Sequence, residues 1–199
     1  MSNGIKVKKR NGRGTESLNL EKMHVMVEQA CEGLAGVSAS QVEINSGIQF
    51  YDGITTAEIQ EILIRSASDL IDLDHPNYQF VAARLLLFSL RKQLFGRVHE
   101  IPNLQGHVQK CVDKGIYDKE ILSQYSDEEF DKLQSFIDHD RDYLFTYAGL
   151  RQVVDKYLVQ DRSNNVVYET PQFMYVLISA TIFSKYPQET RLKYVKDYY

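Results

Sequence analysis

Residues 5–20 read IKVKKRNGRGTESLNL. Apolar and basic residues alternate over residues 5–8, which is the period of a β-strand with one buried face. Asn11 and Gly12 follow, and this dipeptide tolerates the positive φ angles of a tight turn. Residues 15–18 provide a return strand. The stretch therefore predicts a β-hairpin near the start of the chain.

The hydrophobic period changes to that of an α-helix from Asn19, a residue that can cap the first helix. The apolar positions of this helix, spaced three and four residues apart, are Met23, Met26, Val27, Ala30, Cys31 and Leu34. Three more amphipathic helices are predicted to begin at Ser38 or Ser40, at Thr55 and near Pro76. Thr55 and Glu58 have the spacing of a capping box. Four short helices behind a β-hairpin predict one domain over residues 1–95.

The rest of the chain, residues 96–199, is also predicted to be mainly helical. Helices are expected over residues 104–114, 118–124, 126–138 and 143–158, a second β-hairpin within 157–168, and a further helix from Thr170 and Pro171. That last helix is apolar nearly all round, so it needs neighbours on every side. Few predicted elements are left to surround it. We therefore expect residues 96–199 to be the beginning of a larger domain.

The composition is that of an ordinary globular protein, with 43% hydrophobic and 25% charged residues among 199. Disordered, collagen-like and low-complexity classes are excluded. No apolar run reaches the roughly 18 residues of a membrane-spanning helix, and the N-terminus has no apolar core of a signal peptide. Cys31 and Cys111 are too few for a disulfide framework or a four-cysteine zinc site. We expect a soluble cytoplasmic protein that does not enter a membrane.

Basic residues are concentrated at the N-terminus. Residues 1–15 contain five of the 23 Lys and Arg side chains and no acid, whereas the whole chain has a net charge of −4. A basic tip on an acidic body favours a phosphorylated ligand or a nucleic acid as the partner. The acidic body opposes nucleic-acid binding, so we expect no nucleic-acid partner. A solvated arm without a ligand is the remaining interpretation of these charges.

No sequence signature of catalysis is present. The chain has no glycine-rich phosphate loop of the Walker type and no local signature of a Ser/His/Asp or Cys/His nucleophile. Its five histidines form no HxH or HxxxH pair. The charged cluster at residues 138–142 is typical of ion pairs at a helix end. We therefore predict neither catalytic residues nor a metal site.

Polar residues of the N-terminal domain form the remaining candidate site. They lie on either side of the hairpin turn and at the ends of the third and fourth helices: Lys9, Arg10, Glu16, Asn19, Lys22, Thr56 and Lys92. If the hairpin covers the open end of the helical bundle, these side chains converge there. Lysine and arginine suit a triphosphate as charged hydrogen-bond donors, while a carboxylate and an asparagine suit a base or a ribose. Ordinary surface charge is the alternative interpretation.

Several separated motifs resemble one known family. Residues 7–12, 16–22, 30–34, 53–56 and 76–85 are similar to an ATP-cone, and residues 136–142, 156–159 and 168–173 are similar to the region that follows it. Together they resemble the N-terminal part of the large (alpha) subunit of class I ribonucleoside-diphosphate reductases, over nearly all 199 residues. The resemblance implies a mainly α fold. An ATP-cone, which is a four-helix bundle with a β-hairpin lid, is followed by a helical segment with one β-hairpin that begins a larger α/β barrel domain.

The resemblance implies an allosteric activity site in residues 1–95, with ATP and dATP as effectors together with Mg²⁺. In this family ATP favours the active assembly and dATP favours an inhibited oligomer. The motifs assign phosphate contacts to Lys9 and Arg10, with Lys92 nearby. They assign ordering of the nucleotide to Glu16, Asn19, Lys22 and Thr56, and apolar walls to Val7, Met23, Ile59 and Phe88. Gln60 and Ser89 stand where well-known members carry histidines near the nucleotide. Inhibition by dATP therefore does not follow from the resemblance.

The resemblance also implies which parts of the enzyme lie elsewhere. The family reduces ribonucleotides with a set of cysteines in a ten-stranded α/β barrel, C-terminal to the matched region. The 199-residue chain is therefore expected to be inactive alone. It would need the remainder of the large subunit and a small radical-generating subunit, within an oligomer. A stand-alone nucleotide-sensing module that regulates another partner is the alternative function.

Overall fold

The computed structural model describes residues 5–9, 14–47 and 49–199. It contains two compact units: the described residues up to Ser89 with Tyr143–Gln152, and Leu90–Asp142 with Val153–Tyr199. The fold is mainly α-helical with two small antiparallel hairpins, as predicted. Within the described ranges, no helix has the length and apolar character needed to cross a membrane.

The elements follow one another along the chain as β1 (Lys6–Lys8), β2 (Thr15–Ser17), α1 (Leu20–Cys31), α2 (Ala39–Gly47), α3 (Thr56–Asp69), α4 (Tyr78–Phe95), α5 (Leu104–Asp113), α6 (Glu120–Gln124), α7 (Asp127–Phe136), α8 (Tyr147–Gln152), β3 (Gln160–Asp161), β4 (Val166–Val167), α9 (Pro171–Phe183) and α10 (Gln188–Tyr198). A 3-10 helix over His139–Leu144 precedes α8, and a π-helix over Val153–Tyr157 follows it. The boundary between the two units falls inside α4, after Ser89.

Strands β1 and β2 form the predicted N-terminal hairpin. They pair antiparallel, with Val7 opposite Glu16. Val7 is buried, whereas Lys6 and Lys8 are exposed, because successive side chains of a strand point to opposite faces. The Asn-Gly turn predicted at 11–12 lies outside the described residues.

Side-chain hydrogen bonds join the helices of the first unit. His24 Nδ1 on α1 lies 2.8 Å from Glu43 Oε1 on α2. Arg84 on α4 donates from Nη1 to the Glu32 carbonyl, just after α1, at 2.6 Å. Helix α2 packs on α3. The bundle of four helices predicted behind the hairpin is therefore present.

The core of the second unit surrounds Phe173 of α9, which confirms that this helix is central to a core. The buried residues of this core are Leu104, Val108, Tyr125, Phe130, Leu133, Phe173, Val176, Ala180 and Val195. The ring of Phe173 lies 4.9 Å from that of His107 and 6.4 Å from that of Phe95, between centroids. Burial lowers the pKa of His107 to about 4, so this imidazole is neutral within the aromatic cluster at physiological pH.

Helix α10 was not predicted, and it changes the surroundings of α9. The sequence of α10 shows little apolar periodicity, and Val195 is its only buried residue. It packs against both α9 and α7. One side of α9 is therefore covered by a neighbour that the sequence pattern did not indicate, although Ile178 and Ile182 of α9 stay exposed.

Residues 143–158 were predicted to be helical, and helical segments do occupy most of this stretch, although they do not form one regular α-helix. The chain breaks there into a 3-10 helix, α8 and a π-helix. In the π-helix the Leu158 N–H donates to the carbonyl of Val153, five residues earlier. Two side chains donate hydrogen bonds to main-chain carbonyls of this segment. Gln160 Nε2 donates to Val154 O at 3.0 Å, and Arg162 Nη1 donates to Asp155 O at 3.0 Å. These bonds satisfy backbone groups that a regular α-helix would pair internally.

Candidate functional site

Strand β1 is hydrogen-bonded along both of its edges. One edge carries β2. On the other edge, the Lys8 N–H donates to the Ile54 carbonyl at 2.8 Å. The Gly53 N–H donates to the Lys6 carbonyl at 2.8 Å, and Lys8 forms a parallel bridge with Thr55. The hairpin is therefore held beside the loop that leads into α3.

Asp52 and Gly53 shape this loop. Asp52 Oδ1 accepts a hydrogen bond from the Lys6 N–H at 2.8 Å. Gly53 has a φ of +86°, a conformation that glycine adopts without the steric cost of a Cβ. A carbon added at that Cβ position would lie 3.9 Å from Lys8 Cε. Asp52 was not predicted as part of the candidate site, although an Asp-Gly pair is a recognisable turn signal.

The first turn of α3 is fixed by the predicted capping box. Thr55 Oγ1 accepts from the Glu58 N–H at 3.1 Å, and the Thr55 N–H donates to Glu58 Oε2 at 2.8 Å. The Tyr51 hydroxyl donates to Glu58 Oε1 at 2.9 Å. Hydrogen bonds from Thr55 lower the pKa of the Glu58 carboxyl. Glu58 is thus ionised at neutral pH and fixes the backbone immediately before Thr56.

The first turn of α1 follows directly from β2. Asn19 Oδ1 accepts from the Lys22 N–H at 2.9 Å, which makes Asn19 the N-cap of α1. Lys9, just after β1, forms an ion pair with Glu16 of β2 at 2.9 Å, and each side chain is close to half exposed. A cation and a carboxylate are therefore paired across the hairpin, close to the start of α1.

The four apolar residues predicted as walls are all buried: Val7, Met23, Ile59 and Phe88. The ring of Phe88 packs edge-on against Tyr143, with centroids 6.4 Å apart. Gln60, next to Ile59, is also buried, and its Nε2 lies 3.7 Å from Met26 Sδ on α1. An amide thus joins α3 to α1 just below the first turn of α3.

Most of the predicted site residues belong to the first unit. They lie on the hairpin, on the first turns of α1 and α3, and on α4: Val7, Lys9, Glu16, Asn19, Lys22, Met23, Thr56, Ile59 and Phe88. Lys92 lies on the part of α4 that belongs to the second unit. Arg10 lies outside the described residues. Contact of these residues with a nucleotide stays a prediction.

The capping box gives a direct test of how the start of α3 is held. Thr55→Ala removes the side chain that accepts from the Glu58 N–H, and loss of such a cap lowers stability by roughly 1 kcal/mol. Urea unfolding followed by circular dichroism measures the change. Thr55→Ser keeps the hydroxyl and should retain most of the stability. An equal loss in both variants would contradict the role of the hydroxyl.

Two known families match separate parts of this chain. Residues 5–93 match the family described as the ATP cone domain, and residues 143–199 match the family described as the all-alpha domain of ribonucleotide reductase. The chain therefore belongs to the ribonucleotide reductase alpha-subunit family, of which it represents the N-terminal region.

The relatives agree with this assignment over the full chain. Identity is 51% over 199 residues with ribonucleoside-diphosphate reductase 1 subunit alpha of Escherichia coli (strain K12), and 52% with that of Salmonella typhimurium (strain LT2). Each match covers all of this chain and 26% of the relative. The alpha subunit of enterobacteria phage T4 is 40% identical over 187 residues, covering 93% of this chain and 24% of that subunit. The chain spans about a quarter of the length of the curated relatives it matches.

Proposed function

We propose that this chain is the allosteric, nucleotide-sensing N-terminal part of a ribonucleoside-diphosphate reductase. The match of residues 5–93 to the ATP cone domain is the observation that carries the proposal. The whole enzyme would reduce ribonucleotides to deoxyribonucleotides, with the catalytic groups on the remainder of the large subunit. We also propose that the enzyme includes a small radical-generating subunit and works as an oligomer. Its proposed location is the cytoplasm, as the sequence predicts.

The proposed effectors are ATP and dATP, bound at the base of the hairpin. Lys9 and Arg10 would hold the phosphates, with Lys92 nearby. Glu16, Asn19, Lys22 and Thr56 would order the nucleotide, while Val7, Met23, Ile59 and Phe88 would form the apolar wall. Mg²⁺ commonly binds to nucleotide phosphates and water rather than to a cage of protein ligands. We therefore propose that it enters with the nucleotide.

The ion pair between Lys9 and Glu16 bears on how a nucleotide would enter. A phosphate that approaches Lys9 competes with the Glu16 carboxylate for the same ammonium group. Once the phosphate replaces it at Lys9, the Glu16 carboxylate would accept a hydrogen bond from a sugar hydroxyl. ATP and dATP differ by one hydroxyl, so they shift an equilibrium to different extents only if that hydroxyl is contacted differently in the two states.

Thermal unfolding of the full chain with millimolar ATP, dATP or GTP and Mg²⁺ tests this function. A ligand at about 100 times its dissociation constant adds about 2.7 kcal/mol to the state that binds it. In a unit of about 100 residues this raises the melting midpoint by roughly 10 °C or more. We expect this shift with ATP, and we expect Lys9→Ala to reduce it strongly.

Lys6→Ala is the matched control, because it removes one positive charge from the exposed face of β1, the strand that Lys9 follows. It should leave most of the shift in place. Equal shifts in the wild type and Lys9→Ala would contradict the phosphate role of Lys9. No shift with any nucleotide would contradict the proposed sensing function.

A stand-alone sensing module is a weaker alternative. It accounts for residues 5–93 but not for the match of residues 143–199 to the reductase all-alpha domain. An assay of ribonucleotide reduction by the other parts of the enzyme, with and without this chain, separates the two functions. The reductase function predicts that activity depends on the chain, whereas a stand-alone module predicts that it does not.

A further inference from the structure

The second unit carries an apolar groove on one side of α9. The groove has a volume of about 510 Å³ and lies between α9, the segment from Ile116 to Gln124, and the chain just before β3. Ile121, Met174 and Leu177 contribute to its lining. A groove of this size accommodates several apolar side chains of a binding partner.

The groove continues onto an exposed apolar surface. Ile178 and Ile182, one turn apart on α9, are 44% and 49% exposed, and both line the groove. Tyr157 lies at the same groove and is also exposed. Large apolar side chains scattered singly on a surface are ordinary, but a contiguous set beside a groove is typical of an interaction site.

The polar groups of the groove favour a basic occupant. Asp118 and Glu120 line it and are exposed, whereas its described lining includes no Lys, Arg or His. Glu169 is buried, and its carboxylate accepts from the Tyr117 hydroxyl at 2.6 Å and the Val159 N–H at 2.8 Å. The Glu169 carboxylate already accepts these two hydrogen bonds. The negative charge available to a partner is therefore that of Asp118 and Glu120, which form the acidic rim of the groove.

We propose that this groove docks an apolar segment flanked by basic residues, supplied by the remainder of the reductase large subunit. The inference rests on the proposed function. The curated relatives are about four times as long as this chain, and the groove lies largely in the region that matches their all-alpha domain. A second copy is a poorer occupant, since a symmetric contact would bring the acidic rims of both copies together.

Co-expression with a defined partner tests the docking surface. The probe is the part of the Escherichia coli alpha subunit that follows its match to this chain, since the two proteins are 51% identical where they align. We expect this segment to co-purify with the full chain. Ile182→Lys should weaken the association roughly tenfold or more, because it places a charge where an apolar side chain would be buried.

Ile44→Lys is the matched control, since Ile44 is an exposed apolar residue of α2 in the first unit. It should leave co-purification unchanged. Asp118→Lys should weaken association most at low salt, because it reverses a charge of the rim. Far-UV circular dichroism should show all three variants folded, since the substituted side chains are exposed.

Three results would overturn the proposal. In the first, the wild-type chain does not associate with the probe. In the second, the wild type and Ile182→Lys associate with it equally. In the third, the chain associates with itself and Ile182→Lys abolishes that self-association. The last result would assign the groove to a second copy. Nucleotide-dependent melting of the same samples reports on the ATP cone, so a failure of the proposed function can be distinguished from a failure of the docking surface.

Discussion

Asp142→Ala is expected to lower the free energy of unfolding by about 3–5 kcal/mol, because it removes the carboxylate that neutralises the buried Arg91 guanidinium. Asp142 Oδ2 lies 3.0 Å from Arg91 Nη2, and both side chains are almost fully buried. Gln172 Nε2 donates to Asp142 Oδ1 at 2.8 Å. Burial raises the pKa of Asp142, so the ionised carboxylate depends on these two donors. Removal of the carboxylate takes away the counter-ion of Arg91 and the acceptor of the Gln172 amide N–H inside the second unit.

Urea unfolding followed by circular dichroism gives the measurement, with two controls. Arg91→Met combined with Asp142→Leu removes both charges and should recover most of the lost stability. Arg97→Ala breaks an exposed ion pair with Glu100 and should change stability little. A loss for Asp142→Ala as small as that for Arg97→Ala would contradict the buried pair.

Phe173→Ala is expected to lower the free energy of unfolding by about 3–5 kcal/mol, the range for truncating a buried aromatic residue. Phe173 is fully buried, and ring contacts surround it. The rings of His107, His139 and Phe95 lie 4.9, 5.4 and 6.4 Å away between centroids. Truncation therefore leaves a cavity at the centre of the core and removes all three contacts.

Urea unfolding also measures this loss, and two control variants test the size and the exposure of the truncated side chain. Phe173→Leu keeps much of the buried volume and should lose clearly less stability than Phe173→Ala. Leu73→Ala removes an apolar side chain that is fully exposed and should have almost no effect. Similar losses for Phe173→Ala and Phe173→Leu would show that cavity formation is not the dominant cost.

Short-range signals in the sequence predicted the fold best. Thr55 and Glu58, three residues apart, form the predicted capping box of α3. Ser126 and Glu129 also form a capping box, at the start of α7 in the predicted helical stretch 126–138. The alternation around Val7 predicted the buried face of β1. Each signal involves groups within one turn or one strand, so the local sequence is sufficient to specify it.

Interactions between distant residues were not predictable. The bond between Asp52 Oδ1 and the Lys6 N–H joins residues 46 positions apart, and no periodicity in either segment indicates it. Helix α10 is stabilised by packing on α9 and α7, and its start at Pro187 has no side-chain cap. Tertiary contacts thus decided both features.

The candidate site shows the same limit. Motif resemblance assigns residues to this site, and their contact with a nucleotide stays a prediction. Asn19 caps α1, as predicted, whereas the pairing of Lys9 with Glu16 was not predicted. Such local partners compete with any ligand, so residue type and spacing alone do not give the free energy of binding.

The extra edge of β1 has a consequence for how this site can vary. Main-chain atoms of Lys6 and Lys8 hold the hairpin against Gly53 and Ile54. The side chains of these lysines take no part in those bonds, so charge on the outer face of the strand can be replaced while the scaffold keeps its position. The main-chain framework of β1 and its exposed side chains are thereby separable, so the surface charge of this strand can change by substitution without a new fold.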